Sequence, residues 1–138
     1  MILLDTNVVS ELMRPVPDAR VHAWLVGVAS EPLATSAITI AEIVFGLSRL
    51  PDGKRRSSLA ERFDALIFGP PALPVLVLDE KAGRLAGEFR GLRESLGHAS
   101  APSDMMIAGI TMVHGATVAT RNITDYSGLP ISVLDPWA

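Results

Sequence analysis

The stretch Met1-Ile2-Leu3-Leu4-Asp5-Thr6-Asn7 decides how the rest of the chain is read. Ile2 to Leu4 form a short, continuous apolar run, the pattern of a strand buried on both faces. Asp5 ends that run abruptly. Three more acids stand in comparable places. Glu42 separates Ile38-Thr39-Ile40-Ala41 from Ile43-Val44-Phe45, Asp104 precedes Met105-Met106-Ile107-Ala108, and Asp125 closes the turn after Val118-Ala119-Thr120. A solvated acid normally sits among polar residues; an acid among apolar neighbours must be paired, metal-bound or protonated. Four of them spread along the chain point to one site assembled by folding. Oxygen-rich sites of this kind select hard cations such as magnesium or manganese.

Working outward from Ile2 to Leu4, strand-like and helix-like segments alternate. A helix is predicted over residues 7–14, stopped by Pro15-Val16-Pro17. Asp18 can cap a second helix through Val21, Trp24, Leu25 and Val28, whose spacing of three and four is helical. Residues 33–35 read as a strand, and Ser36 as the cap of the apolar helix holding Glu42. Pro51-Asp52-Gly53 breaks the pattern before a helix over residues 54–68. After the loop Gly69-Pro70-Pro71, a strand is predicted over 75–78, and Asp79 caps a helix to about residue 96. Residues 97–103 read as a loop, 104–114 as a helix ended by Gly115, and 117–119 and 131–134 as strands. This alternation indicates a parallel sheet covered by helices on both faces. Ligands of such sheets bind beyond the carboxyl ends of the strands. Asp5 lies just past the first strand, and Thr120, Arg121, Asn122 and Asp125 just past the fourth. Glu42 and Asp104 lie near helix starts, where a chain leaving the same edge would put them.

The 138 residues suit one domain, residues 1–138, with a sizeable core. A hydrophobic fraction of 49% against 20% charged residues describes a folded chain. The mean hydropathy of +0.35 leaves room for apolar surface covered by a second copy or a partner. The absence of cysteine excludes disulfides, zinc–thiolate sites and a cysteine nucleophile. The start carries no basic region before its apolar run, so no secretory signal is read there, and no run is long enough to span a membrane. A cytoplasmic location is the expectation. The net charge of −3 argues mildly against a nucleic-acid partner, but a bound divalent cation reverses the local sign.

Each acid has a structural reading too. Asp5 can cap the following helix. Glu42 can be a buried acid satisfied by arginine or backbone. Asp104 suits a first helical turn, where the dipole favours a negative charge. Asp125 suits a turn. The pattern gains weight because other acids are readily explained: Asp18 and Asp79 as caps, and Glu80, Glu88 and Glu94 on a polar helix face shared with Lys81, Arg84, Arg90 and Arg93.

Leu4-Asp5-Thr6-Asn7, Glu42 within an apolar helix, Asp104-Met105-Met106-Ile107-Ala108, and Thr120-Arg121-Asn122 with Asp125-Tyr126 together resemble the PIN-domain ribonucleases. The likeness is to the VapC toxins of toxin–antitoxin modules, in particular the FitB-like branch, and it extends to the ending over residues 131–137. The resemblance implies a three-layer α/β/α sandwich around a central parallel sheet of four to five strands. It implies that Asp5, Glu42 and Asp104 hold magnesium or manganese, that Asn7 supports the site beside Asp5, and that the Thr120 hydroxyl orients water or substrate. The fourth acid of the family falls at position 122 in some relatives and three residues later in others, so Asn122 and Asp125 both match it. An amide at 122 cannot supply a carboxylate's charge, and this position decides between one ion and two.

The activity implied is hydrolysis of RNA phosphodiesters, leaving a 5′-phosphate. Bound divalent ions polarise a phosphoryl oxygen and lower the pKa of water; a pair would sit roughly 4 Å apart. The family also implies a homodimer, a small cognate antitoxin that wraps the toxin, and a transfer or ribosomal RNA substrate. The competing reading is a catalytically inactive PIN-like regulatory module. An aspartyl phosphotransferase is disfavoured because Asn7 stands where a second Asp is needed, and a phospho-receiver because adjacent acids near the first strand and a Lys after a late strand are both missing. Dinucleotide binding lacks a Gly-rich turn after the first strand. Lys54-Arg55-Arg56, with Arg49 and Arg62 nearby, reads as a solvated helix face, with an RNA-facing patch as the alternative. His22, His98 and His114 show no ligand spacing, and Trp24 and Trp137 read as packing residues.

Overall fold

Ile2–Leu4 form β1, the central strand of the computed structural model, which describes residues 1–138. Flanking it are β2 (Leu33–Ser36) and β4 (Thr117–Ala119), and outside those lie β3 (Val75–Leu76) and β5 (Ser132–Leu134). The order is β3-β2-β1-β4-β5, and every pairing is parallel. The helices are α1 (Thr6–Leu12), α2 (Ala19–Gly27), α3 (Ala37–Ser48), α4 (Lys54–Phe68), α5 (Glu80–Ser95) and α6 (Pro102–Val113). None of them is long and apolar enough to cross a membrane.

Alternation along β1 divides the core. Leu3 joins Val118, Phe89, Met105, Ile107, Ile110 and Tyr126 on one face. Ile2 and Leu4 join Val8, Val9, Val21, Phe63, Ala119 and Trp137 on the other. Successive strand side chains point to opposite faces, so a fully apolar strand builds two cores at once. The result is the three-layer α/β/α arrangement expected, with a five-stranded sheet.

The predicted caps are in place. Asp5, Asp18, Ser36 and Asp79 each accept a backbone N–H at the start of the following helix. Trp137 is buried and Trp24 packs against the same core, as packing residues should. Other boundaries differ for physical reasons. α1 begins at Thr6, because Asp5 caps it directly, and ends at Leu12. β3 shrinks to Val75–Leu76 at the sheet edge, with Val77 66% exposed. α6 starts at Pro102, not at Asp104. Proline suits the first helical turn, where its missing N–H costs nothing, so the helix absorbs the end of the expected loop. Residues Ile123–Tyr126, read as a turn, form one turn of 3-10 helix.

The α5–α6 crossing is close. A Cβ placed on Gly109 would lie 2.3 Å from the Ala82 carbonyl oxygen, so only glycine permits this approach. The contact seats α6, and Asp104 with it, against the sheet.

Candidate active site

Asp5 leaves the carboxyl end of β1 with its backbone N–H donating to Ala119 O on β4, at 3.0 Å. Its side chain is 4% exposed. Oδ1 accepts from Thr6 N at 2.7 Å, the N-cap bond of α1, and Oδ2 accepts from the Tyr126 hydroxyl at 3.1 Å. The capping and functional readings of Asp5 are thus compatible: one oxygen starts a helix while the other faces the 3-10 turn. Burial pushes the Tyr126 phenol well above its usual range, and the charges of Asp5 and Asp104 push it further. Tyr126 therefore stays a donor.

Glu42 sits on α3, which follows β2 directly. Ser36 caps that helix by accepting from Thr39 N at 3.1 Å. Thr6 donates its hydroxyl to Glu42 Oε1 at 2.9 Å and lies 3.1 Å from the Thr39 hydroxyl, tying α1 to α3. The reading of Glu42 as a buried acid needs correction. Glu42 is exposed, and so are its neighbours Val44 and Phe45, at 50% and 61%. Its apolar flanks are themselves surface, so sequence context overstated its burial.

Asp104 is half-buried in the first turn of α6. Its carboxyl is pushed up to about 6, first by burial, then by the charges of Asp5, Asp125 and Glu42; Arg93 partly offsets them. Each of the other three acids acts on Asp104. The four acids thus lie near enough for their charges to bear on Asp104. Asp125 lies in the 3-10 turn, half-buried, with its N–H donating to Asn122 O at 3.0 Å. Asn122 is exposed.

Asn7 and Thr120 form the floor beside Asp5. Asn7 Nδ2 donates to Thr120 Oγ1 at 3.1 Å, and Asn7 Oδ1 accepts from Arg121 N at 3.1 Å. Thr120 Oγ1 also accepts from Asn122 N at 3.1 Å. Thr120 is fully buried. Its hydroxyl oxygen therefore ties Asn7 to the 120–122 turn.

None of the four acids is paired with a lysine, arginine or histidine in a salt bridge. Carboxylates that converge without a cation have the donor chemistry of a hard divalent ion. As the side chains stand, no three of them lie close enough to hold one ion together. Their donor type, carboxylate oxygen throughout, suits a hard divalent ion.

Two residues outside the expected set complete the site. Tyr126 was legible only as part of a motif. Arg93, read as one charge on a polar helix face, is 4% exposed and donates to the carbonyls of Ala99, Thr124 and Ser127. A signal was there to find it: Ala82, Ala86, Phe89 and Arg93 recur at spacings of four, three and four, the buried stripe of α5, and Arg90 falls off that stripe. The basic run on α4 is less free than it looks: Arg56 pairs with Asp52 at 3.0 Å and reaches Leu50 O. The three histidines are exposed, as expected.

Comparison with known proteins agrees with the fold. The PIN domain matches residues 2–124. The chain is 38% identical over 137 residues to the toxin FitB of Neisseria gonorrhoeae, covering 99% of each chain. It is 36% identical over 137 residues to a VapC ribonuclease of Sinorhizobium fredii, covering 99% of this chain and 98% of that one. Among solved structures, a FitAB complex bound to a DNA fragment superposes with a TM-score of 0.88 at 37% identity, covering 100% of this chain and 96% of the other. A DNA-bound VapBC complex from Salmonella typhimurium superposes with a TM-score of 0.78 at 26% identity, covering 99% and 98%.

Proposed function

This chain belongs to the PIN domain family, and from that premise we propose that it is a divalent-metal-dependent endoribonuclease acting as the toxin of a toxin–antitoxin pair. The observation that carries the reading is geometric: Asp5 is buried at the carboxyl end of β1, Asp104 sits in the first turn of α6, and neither they nor Glu42 and Asp125 pair with a cation.

Asp5, Asp104 and Glu42 are the residues that would hold magnesium or manganese, with Asp125 as the fourth acid. When bound, the ion supplies Lewis acidity to a phosphoryl oxygen and a nucleophilic water at neutral pH. The chain's own residues prepare that chemistry. Thr6 N and Tyr126 Oη fix the plane of the Asp5 carboxylate. Asn7 and Thr120 brace the turn that starts the 3-10 segment. Thr6 holds Glu42 at the exposed rim, where a phosphodiester can approach from solvent. In this reading water is the attacking group, and no side-chain nucleophile is required.

Relatives named as ribonucleases, and one Salmonella typhimurium relative named as a transfer-RNA endonuclease at 24% identity, support RNA as the substrate. Structures of FitAB and VapBC complexes support an antitoxin partner. Exposed apolar side chains such as Val26, Val44, Phe45 and Phe68 leave surface for that partner and for a homodimer. A cytoplasmic location is part of the same proposal.

The test is cleavage of transfer and ribosomal RNA by the purified protein with manganese, with EDTA, and in the Asp104→Asn variant. Metal-dependent products with 5′-phosphate ends, lost in the variant, are expected. Folded protein that binds RNA without cutting it would favour the inactive regulatory module, the reading to which the Asn122 amide lends its only support.

A further inference from the structure

We propose that Arg93 is a positioning residue for the acidic site: its guanidinium clamps the 3-10 turn bearing Asp125 and Tyr126 to the loop that leads into Asp104, registering the acids before an ion is bound. The inference rests on the acidic cluster being the working site.

Arg93 projects from the last turn of α5 and is 4% exposed. A buried guanidinium normally has a carboxylate partner. Arg93 has none. Its donors go instead to backbone on two separate segments. Nε and one terminal nitrogen donate to Ala99 O at 3.1 and 2.6 Å, in the loop between α5 and α6. The other terminal nitrogen donates to Ser127 O at 2.6 Å, Ser127 Oγ at 3.2 Å and Thr124 O at 3.3 Å. Asp125 and Tyr126 lie between Thr124 and Ser127, whose carbonyls accept these bonds, and Ala99 lies just before the α6 start that carries Asp104. One planar fork thus spans the segments supplying two of the four acids. It also fixes Tyr126, whose hydroxyl holds Asp5.

The energetics favour this role over a simple brace. Charge-assisted bonds are stronger than neutral ones, and carbonyl acceptors satisfy the guanidinium without neutralising it. A full positive charge is therefore retained behind the acids, and Arg93 acts on Asp104 against the three carboxylates. Geometry and charge can be separated, because lysine keeps the charge but loses the planar fork.

The chain contains one tyrosine. Labelling with fluorotyrosine therefore gives a single fluorine resonance, from Tyr126. In Arg93→Lys, with a cooperative melt retained, that resonance should move, and the Mn2+ dissociation constant should rise about tenfold, the lower end for losing an outer partner of a metal site. An unmoved resonance overturns the clamp. A moved resonance with wild-type Mn2+ affinity reduces Arg93 to a brace and overturns the positioning role. If Arg93→Lys does not fold, the unmodified protein decides: the Arg93 Nε–H signal should be protected from solvent exchange and shift on Mg2+ saturation, and an unshifted signal overturns the proposal. Wild-type protein that binds no Mn2+ would instead refute the metal-site reading, and the Tyr126 resonance alone would then decide the clamp.

Discussion

Tyr126 donates its hydroxyl to Asp5 Oδ2 across 121 positions of sequence, at 3.1 Å and out of contact with solvent. The bond joins the end of β1 to the 3-10 turn after β4. It gives a buried carboxylate its second donor, after Thr6 N. Removing it in Tyr126→Phe leaves Asp5 under-satisfied. In EDTA, urea unfolding should show a loss of about 1.5–3 kcal/mol, the range for hydrogen bonds to charged groups. Unchanged stability would mean that Asp5 does not depend on this donor.

The raised pKa of Asp104 sets a pH dependence for the metal-free protein. The unfolded carboxyl titrates near 3.8 and the folded one at about 6. Between those values the native state binds more protons than the unfolded state, so native stability rises as the pH falls through 6 and levels off near 4. Above 6 the charged form carries its full penalty. The melting temperature in EDTA should therefore be higher at pH 5 than at pH 7.5. Mn2+ should reverse the order, because it binds the deprotonated acids and stabilises the native state at the higher pH. A metal-free melting temperature that climbs from pH 5 to 7.5 would contradict the shift.

The fourth acidic position can be assigned by paired substitutions. Asp125 is half-buried and acts on Asp104, whereas Asn122 is exposed. Asp125→Asn should raise the Mn2+ dissociation constant by about tenfold or more. Asn122→Ala should leave it unchanged. Titration calorimetry on both variants checks this, and the opposite ranking would hand the role to position 122.

Gly109→Ala tests the seating of Asp104 from a distance. The added methyl would meet the Ala82 carbonyl oxygen at 2.3 Å, and backbone cannot swing aside as a flexible side chain can. α5 and α6 must separate, at about 1–3 kcal/mol for overpacking. Chemical denaturation should show that loss, with Mn2+ binding weakened as well. A variant as stable as the parent would mean the crossing relaxes without strain.

Much of this protein was legible in its sequence, for local reasons. The apolar run Ile2 to Leu4 was enough for a buried strand, because only a strand covered on both faces carries no polar alternation. Asp18, Ser36 and Asp79 announced helix starts through the short-range chemistry of capping. Parallel order put Asp5, Glu42, Asp104 and Asp125 at one edge of the sheet, and the other three acids lie near enough to push the Asp104 carboxyl upward. Glu42 was misjudged, since apolar neighbours in sequence do not imply apolar neighbours in space; Val44 and Phe45 face outward with it.

What only the tertiary structure decided is which groups hold the acids in place. The helical period sets Arg93 on the buried stripe of α5 and Arg90 off it, but only the fold gives Arg93 its partners, three backbone carbonyls. Tyr126 reaches Asp5, and Thr6 reaches Glu42, only because β1, β2 and β4 lie side by side. Periodicity and capping act over a few residues and can be read along the chain. A hydrogen bond between distant segments depends on sheet order, helix approach and burial, and those exist only once the chain has folded.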